Sequence, residues 1–208
     1  MVGNDVERDL KPAQSLGLKT YHVGVASTSE AGGTLSELRS WLESTDLAAL
    51  EPSIQTPAAI LAVMSSTPAV LQNLVASASD SCWPYKPTAD DWALVEVICH
   101  LRDTEREIHQ MQLNTLLEES EPFIPRPDSS VWAKERNYLE EEGLAALREF
   151  TSARVSMLAQ LKSLDDSVWK QKASHAIFGP THFQEVIGFM AEHDRMHIQQ
   201  AWNTIKAF

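Results

Sequence analysis

At 208 residues the chain has room for one domain of about 150 residues with an extension, or for one larger domain. Its 43% hydrophobic share is enough for a globular core, and a formal net charge of −12 with no local basic cluster argues against nucleic acid or an anionic membrane as the main partner. Cys82 and Cys99 have no CxxC spacing, MVGNDVERDL lacks an apolar signal core, and no stretch approaches 18 uncharged apolar residues. These features are those of a cytoplasmic protein with reduced cysteines and no membrane span.

Residues 1–55 read as an N-terminal extension, an arm followed by one short helix. TYHVGVAST alternates as a strand or extended arm would, and STSEAGG reads as loop. Thr34 and Glu37 form a capping box ahead of LRSWL, which predicts an amphipathic helix over about 34–44 with Leu35, Leu38 and Leu42 on one stripe. Residues 56–208 carry the long helical patterns. Thr56-Pro57 and Thr67-Pro68 are both start signals. Because an internal proline costs about 3 kcal/mol, the run from Pro57 is expected to break or kink at 66–68.

Thr88 and Asp91 are read as the capping box of a long helix over about 89–118. One stripe of it holds Trp92, Glu96, His100, Asp103, Thr104 and Glu107, and a neighbouring stripe is apolar. EPFIPRPDSS is a proline-stiffened loop, and VWAKERNY, a short turn, carries Trp132, Arg136 and Tyr138. A third helix is expected over about 139–163, then loop through SVWKQKASHAIFGP. Thr181 and Gln184 are taken as the cap of a last helix over about 182–206. Four such helices with long connections predict an all-α bundle, a fold that builds metal sites from facing helices.

The stretch AEHDRMHIQQ places His193 and His197 one helical turn apart on one face, where both imidazoles can reach a single ion. His100, mid-helix beside carboxylates, is the best third ligand. The residue after His193 is Asp194, so the HExxH pattern of zinc proteases is absent. His182 lies about 16 Å from His193 along the helix at 1.5 Å per residue, too far to share the ion. His109 is expected at the surface and His175 in a loop able to fold over the pocket.

From about residue 57 onward the chain resembles the DinB-like (DinB/YfiT) superfamily of four-helix metal-binding proteins. The resemblance rests on TPAVLQNL, DWALVEVICHLRDTE, PFIPR, WAKERNY, AALREFTSAR, FGPTHFQE and EHDRMHIQQ, in that order. It implies a DinB/YfiT-like four-helix bundle in which His100, His193 and His197 bind one divalent transition metal, and it makes a homodimer through bundle helices plausible. It also implies enzymes that activate low-molecular-weight thiols.

Three imidazoles leave a coordination position open, as catalytic sites do, and they suit zinc, nickel or iron without choosing among them. The leading expectation is a metal-dependent transferase that activates a small thiol, with a small molecule as partner. Alternatives are a hydrolase using water activated by the ion, with Asp103 or Glu107 as base, and a non-enzymatic metal-binding stress-response protein. Glu96 and Gln200, with Asp103 and Glu107, are candidates to orient the ligand imidazoles. Trp92, Trp132, Arg136 and Tyr138 are candidate pocket walls.

Overall fold

Helices dominate the computed structural model, which describes residues 1–24, 31–50 and 53–208. The chain divides into two compact units, Met1–Ala62 and Val63–Phe208.

In the first unit, β1 (Val2–Gly3) leads through a π-helical turn, Val6–Leu10, into α1 (Lys11–Ser15). β2 (Tyr21–Val23) and β3 (Gly32–Gly33) follow, and the three strands pair in parallel in the order β1-β2-β3. Within TYHVGVAST, Tyr21–Val23 forms a strand, and residues 25–28 lie outside the described residues. In STSEAGG, residues 27–30 lie outside the described residues, and Gly32–Gly33 is strand rather than loop. α2 (Leu35–Ser44) opens on the capping box: the Glu37 backbone N–H donates to Thr34 Oγ1 at 3.2 Å, and the Thr34 N–H donates to the Glu37 carboxylate at 2.7 Å. The leucine stripe is not a buried face, since no residue of α2 is buried and Leu35 and Leu42 are exposed.

The second unit is a four-helix bundle. Its first helix is the later part of α3 (Pro57–Val75), which starts in the first unit. The second runs from α4 (Leu94–Asp103) through a π-helical segment, Thr104–His109, into α5 (Gln110–Glu118), helical throughout. β4 (Phe123–Ile124) and α6 (Trp132–Glu135) then precede the third helix, α7 (Gly143–Lys162). A hairpin of β5 (Lys172–His175) and β6 (Gly179–His182) leads into the fourth, α8 (Phe183–Ala207). The core joins Leu71 and Val75 of α3 to Leu94, Ile98 and Leu101 of α4, Leu147 and Phe150 of α7, and Ala201 of α8.

Several boundaries differ from expectation. Thr88 does bond Asp91, side chain to side chain at 2.8 Å, but this closes a turn. The helix begins at Leu94, with Glu96 accepting from the Ala93 backbone N–H at 2.8 Å. Residues 138–140 form a separate turn, reached through Asn137 in the left-handed region (φ 54°), so α7 starts later than expected. At the head of α8 the N-cap is His182, and Glu185 accepts from the His182 N–H at 3.0 Å and from Thr181 Oγ1 at 2.7 Å. The segment read as loop before α8 holds the hairpin, and β4 from the proline-rich loop pairs parallel with β5. These strands are two to four residues long, too short for a period to show.

α3 overturns two expectations. It does not break at residues 66–68, and Pro68 lies within it. A proline has no N–H for the carbonyl four residues back, which here is Met64. That carbonyl accepts instead from Arg154 Nη1 at 3.2 Å, so the lost helical bond is replaced from α7. α3 is also uncharged and, by length and composition alone, long and apolar enough to cross a membrane, which corrects the reading of the sequence. Core helices of globular bundles meet the same criterion, and α3 sends Thr67 Oγ1 into the core to bond Asp194 at 2.8 Å.

Arg154 is fully buried. Its Nε and Nη2 donate to the two Glu105 oxygens at 2.6 and 2.8 Å. Nη2 also donates to Asp194 Oδ1 at 3.0 Å, and Nη1 donates to Asp194 Oδ2 as well as to Met64. A guanidinium has five N–H donors, and all five are used. Burial by itself would raise the Glu105 carboxyl, but hydrogen bonds from Arg154 and His109 hold it at about 2. Breaking a buried pair from one side costs about 3–5 kcal/mol. We therefore expect Arg154→Met to lower the urea-unfolding free energy by roughly that amount, and Arg154→Lys, with three donors and no fork, to recover little of it. Wild-type midpoints for both variants would contradict this account of the core.

Candidate metal centre

α4 and α8 bring three imidazoles to one point. His100 Nε2 lies 3.2 Å from His193 Nε2, and His197 Nε2 lies 3.1 Å from it. One ligand nitrogen from each of the three falls within 4.8 Å of the others. The i, i+4 spacing on α8 sets the His193 and His197 rings edge to face, 4.4 Å between centroids, and the core packing of α4 carries His100 across to them. Trp92 fixes two of the rings, edge-on to His100 at 4.9 Å and stacked on His197 at 6.0 Å between centroids.

Hydrogen bonding alone does not account for this convergence. A ring nitrogen has either one proton or one lone pair, so His193 Nε2 can make one good bond and has two nitrogen neighbours. Nitrogens bound to one ion at 2.0–2.1 Å with tetrahedral angles sit about 3.3 Å apart. The two measured separations are close to that, so the residues fit a divalent cation. Binding through Nε2 places the ring proton on Nδ1. His197 Nδ1 has an acceptor in Gln200 Oε1 at 2.8 Å, while Nδ1 of His100 and of His193 is buried with no partner among the described residues.

The imidazoles are suited to a cation by charge as well. Burial pushes His100 down to about 3, and the neighbouring His197 and His109 act in the same direction. Burial likewise lowers His193 far below its ordinary value and lowers His197, so all three lone pairs are free at neutral pH. Directly behind the cluster, Arg154 offers one positive charge to the two carboxylates of Glu105 and Asp194.

The three histidines line a cavity of about 900 Å³. Ile108, Val186, Phe189, Met190 and Met196 form its apolar walls, with Ile177 and Phe178 from the hairpin turn. This is the size of an ordinary small-molecule site.

A model of the DinB superfamily matches residues 64–201, well over half of the chain. The chain belongs to the DinB superfamily. It is similar to the uncharacterized protein YuaE of Bacillus subtilis (strain 168), 23% identical over 133 residues that span 59% of this chain and 82% of YuaE. Among solved structures, YfiT from Bacillus subtilis matches with a TM-score of 0.64 at 19% identity, covering 75% of this chain and 89% of YfiT. YfiT is described as a probable metal-dependent hydrolase with an unusual four-helix bundle topology. At that identity the likeness establishes the fold.

Within this DinB-superfamily bundle the other sequence candidates separate. Trp92 lines the cavity and Gln200 holds His197. Glu96 is buried but caps α4 and pairs with Lys86 at 2.7 Å, away from the imidazoles. Asp103 accepts from Arg102 Nε, Arg136 Nη1 and the Tyr138 hydroxyl, each at 2.7 Å. Glu107 is half exposed and pairs with Arg136. Trp132 packs on the core with Arg136 over its ring at 3.8 Å. Neither Asp103 nor Glu107 faces the cluster, and Trp132, Arg136 and Tyr138 are absent from the cavity wall.

The π-helical segment explains the stripe error. At 100° per residue His109 lies 180° from His100. The wider turn winds less per residue, which brings His109 toward the site and carries Glu107 off it. His109 is accordingly buried, not at the surface, with its ring 5.3 Å from that of His193. His175 is likewise buried, in β5 rather than a loop, and lines the cavity. Arg154 escaped notice although it had a signal: it occupies an apolar-phase position between Phe150 and Leu158, where a charge implies a buried partner.

These depressed imidazoles set an acid limit on the fold. The unfolded chain binds protons at His100, His193 and His197 near the ordinary histidine pKa of about 6.5, and the folded chain does not. Stability is therefore expected to fall as pH drops below about 6.5. An NMR titration of the ring nitrogens in metal-free protein is expected to show His100 neutral down to about pH 4; a midpoint near 6.5 would contradict it.

Proposed function

We propose that this chain is a metal-dependent enzyme whose divalent cation is held by His100, His193 and His197 and whose substrate is a small molecule bound in the adjoining cavity. The convergence of the three Nε2 atoms carries this reading. Bound there, a divalent ion supplies Lewis-acid activation of a thiol or water at its remaining coordination position. Zinc, nickel and iron all suit imidazole ligands.

The protein's own groups prepare the site for such an ion. Gln200 fixes the His197 ring by accepting its Nδ1 proton, and Trp92 holds the planes of His100 and His197. The Asp194 carboxylate favours positive charge at His197, while the Arg154 guanidinium opposes it at His193.

We favour a thiol as the nucleophile. The carboxylates expected to serve as base for water, Asp103 and Glu107, are bound to Arg102, Arg136 and Tyr138 instead, while His109, Asp128 and Glu192 line the cavity. A thiol ionises near pH 8.5 and needs little help once close to a cation. The reading is thus a transferase that moves a small thiol onto an electrophile. The description of YfiT supports the second reading, hydrolysis with water as nucleophile. A cytoplasmic setting is part of the same proposal, supported by two buried free cysteines.

Elemental analysis of the purified protein is expected to give about one divalent metal per chain, reduced at least tenfold in each of His100→Ala, His193→Ala and His197→Ala. Gln200→Ala is expected to weaken the metal by about 10- to 100-fold, the usual effect of removing a ligand's outer partner. Unchanged content in a histidine variant would remove that residue from the site. Assays on an electrophile and ester panel with and without a small thiol then separate the readings, since thiol-independent turnover would favour hydrolysis.

A further inference from the structure

One group on the cavity wall has no part in the scheme above. His109 lies on the π-helical segment, buried, with its ring edge-on to His193. Its Nδ1 is 3.0 Å from Glu105 Oε2. Glu105 is held by the Arg154 guanidinium through two hydrogen bonds, so it is an ionised carboxylate and can only accept. The proton between them therefore belongs to His109 Nδ1, which leaves Nε2 as the acceptor nitrogen of the uncharged ring. No described residue bonds that Nε2, although the ring lines the cavity that the three histidines open onto.

The arrangement differs from that of the three clustered histidines. Their nitrogens converge on one another, whereas His109 stands outside the group. It is also fixed more firmly than an ordinary wall residue, through Glu105 to Arg154 and so to the centre of the bundle. A buried acceptor with a set tautomer, beside an open coordination position, is suited to a ligand that carries a proton to donate.

We propose that His109, oriented by Glu105, accepts a hydrogen bond from the N–H, O–H or S–H group of the molecule bound at the open side of the three-histidine cluster, and so selects donor-bearing ligands. This rests on the metal-dependent reading given above. His109 contacts the ligand and does not hold the ion.

Two metal-directed probes test it with cobalt-loaded protein at mildly alkaline pH, read by visible absorption. Acetohydroxamate keeps an N–H when it coordinates; azide has no proton to offer. His109→Leu is expected to weaken acetohydroxamate by about fivefold to tenfold, the effect of one hydrogen bond, and to leave azide within about twofold. His109→Gln, whose amide oxygen can accept, is expected to recover part of the loss. If His109→Leu does not fold, His109→Asn, which reaches Glu105 but not the cavity, makes the same comparison. Equal losses for both probes, or no loss for either, would overturn the proposal. Cobalt uptake separates the two levels of inference: it is expected to survive in the His109 variants and vanish in His100→Ala. Wild-type protein that binds no cobalt would defeat the metal reading itself.

Discussion

A single guanidinium holds the bundle together. Arg154 reaches from α7 to Glu105 on the second helix, Asp194 on the fourth and the Met64 carbonyl on the first, with no donor left over. Thr67 adds a second tie from α3 to Asp194. Charges this deeply buried are tolerable only when every partner is in place, so the network fixes the relative position of the four helices more sharply than apolar packing can. It also makes Pro68 tolerable, because the carbonyl that a proline leaves without a helical donor is one that Arg154 needs.

The three-histidine cluster is built on that frame. Asp194 follows His193 directly, so the residue that anchors α8 to Arg154 also sets the height of the imidazole beside it. Glu105 does the same on the second helix, where it orders His109. Between these anchors His100 is buried and His193 and His197 are half-buried, and the three converge. The cavity they open onto joins apolar walls such as Ile108, Val186 and Met190 to polar groups such as His109, Asp128 and Glu192.

A second polar cluster is organised around Asp103. Arg102, Arg136 and Tyr138 converge on it, and Arg136 lies against Trp132. This joins the α6 segment and the turn after it to the bundle. The residue types resemble those of an active site, but their charges satisfy one another.

The sequence by itself determined the helical bundle, the capping box of Thr34 and Glu37, and the placing of His193 and His197 on one face, because periodicity and i, i+4 spacing are local properties of a helix. It also contained His100 as a histidine within an apolar helix. Only the tertiary structure decided where the carboxylates of the second helix lie relative to the imidazoles. A π-helical segment re-aimed everything after Asp103, and no local pattern reveals that change of winding. The same holds for Pro68, whose cost is offset by an arginine 86 positions later in the chain (154 − 68), and for the β5–β6 hairpin, whose strands depend on pairing rather than on a pattern of their own. Long-range hydrogen bonds between buried polar groups decided these points, and such bonds leave little trace in the order of residues.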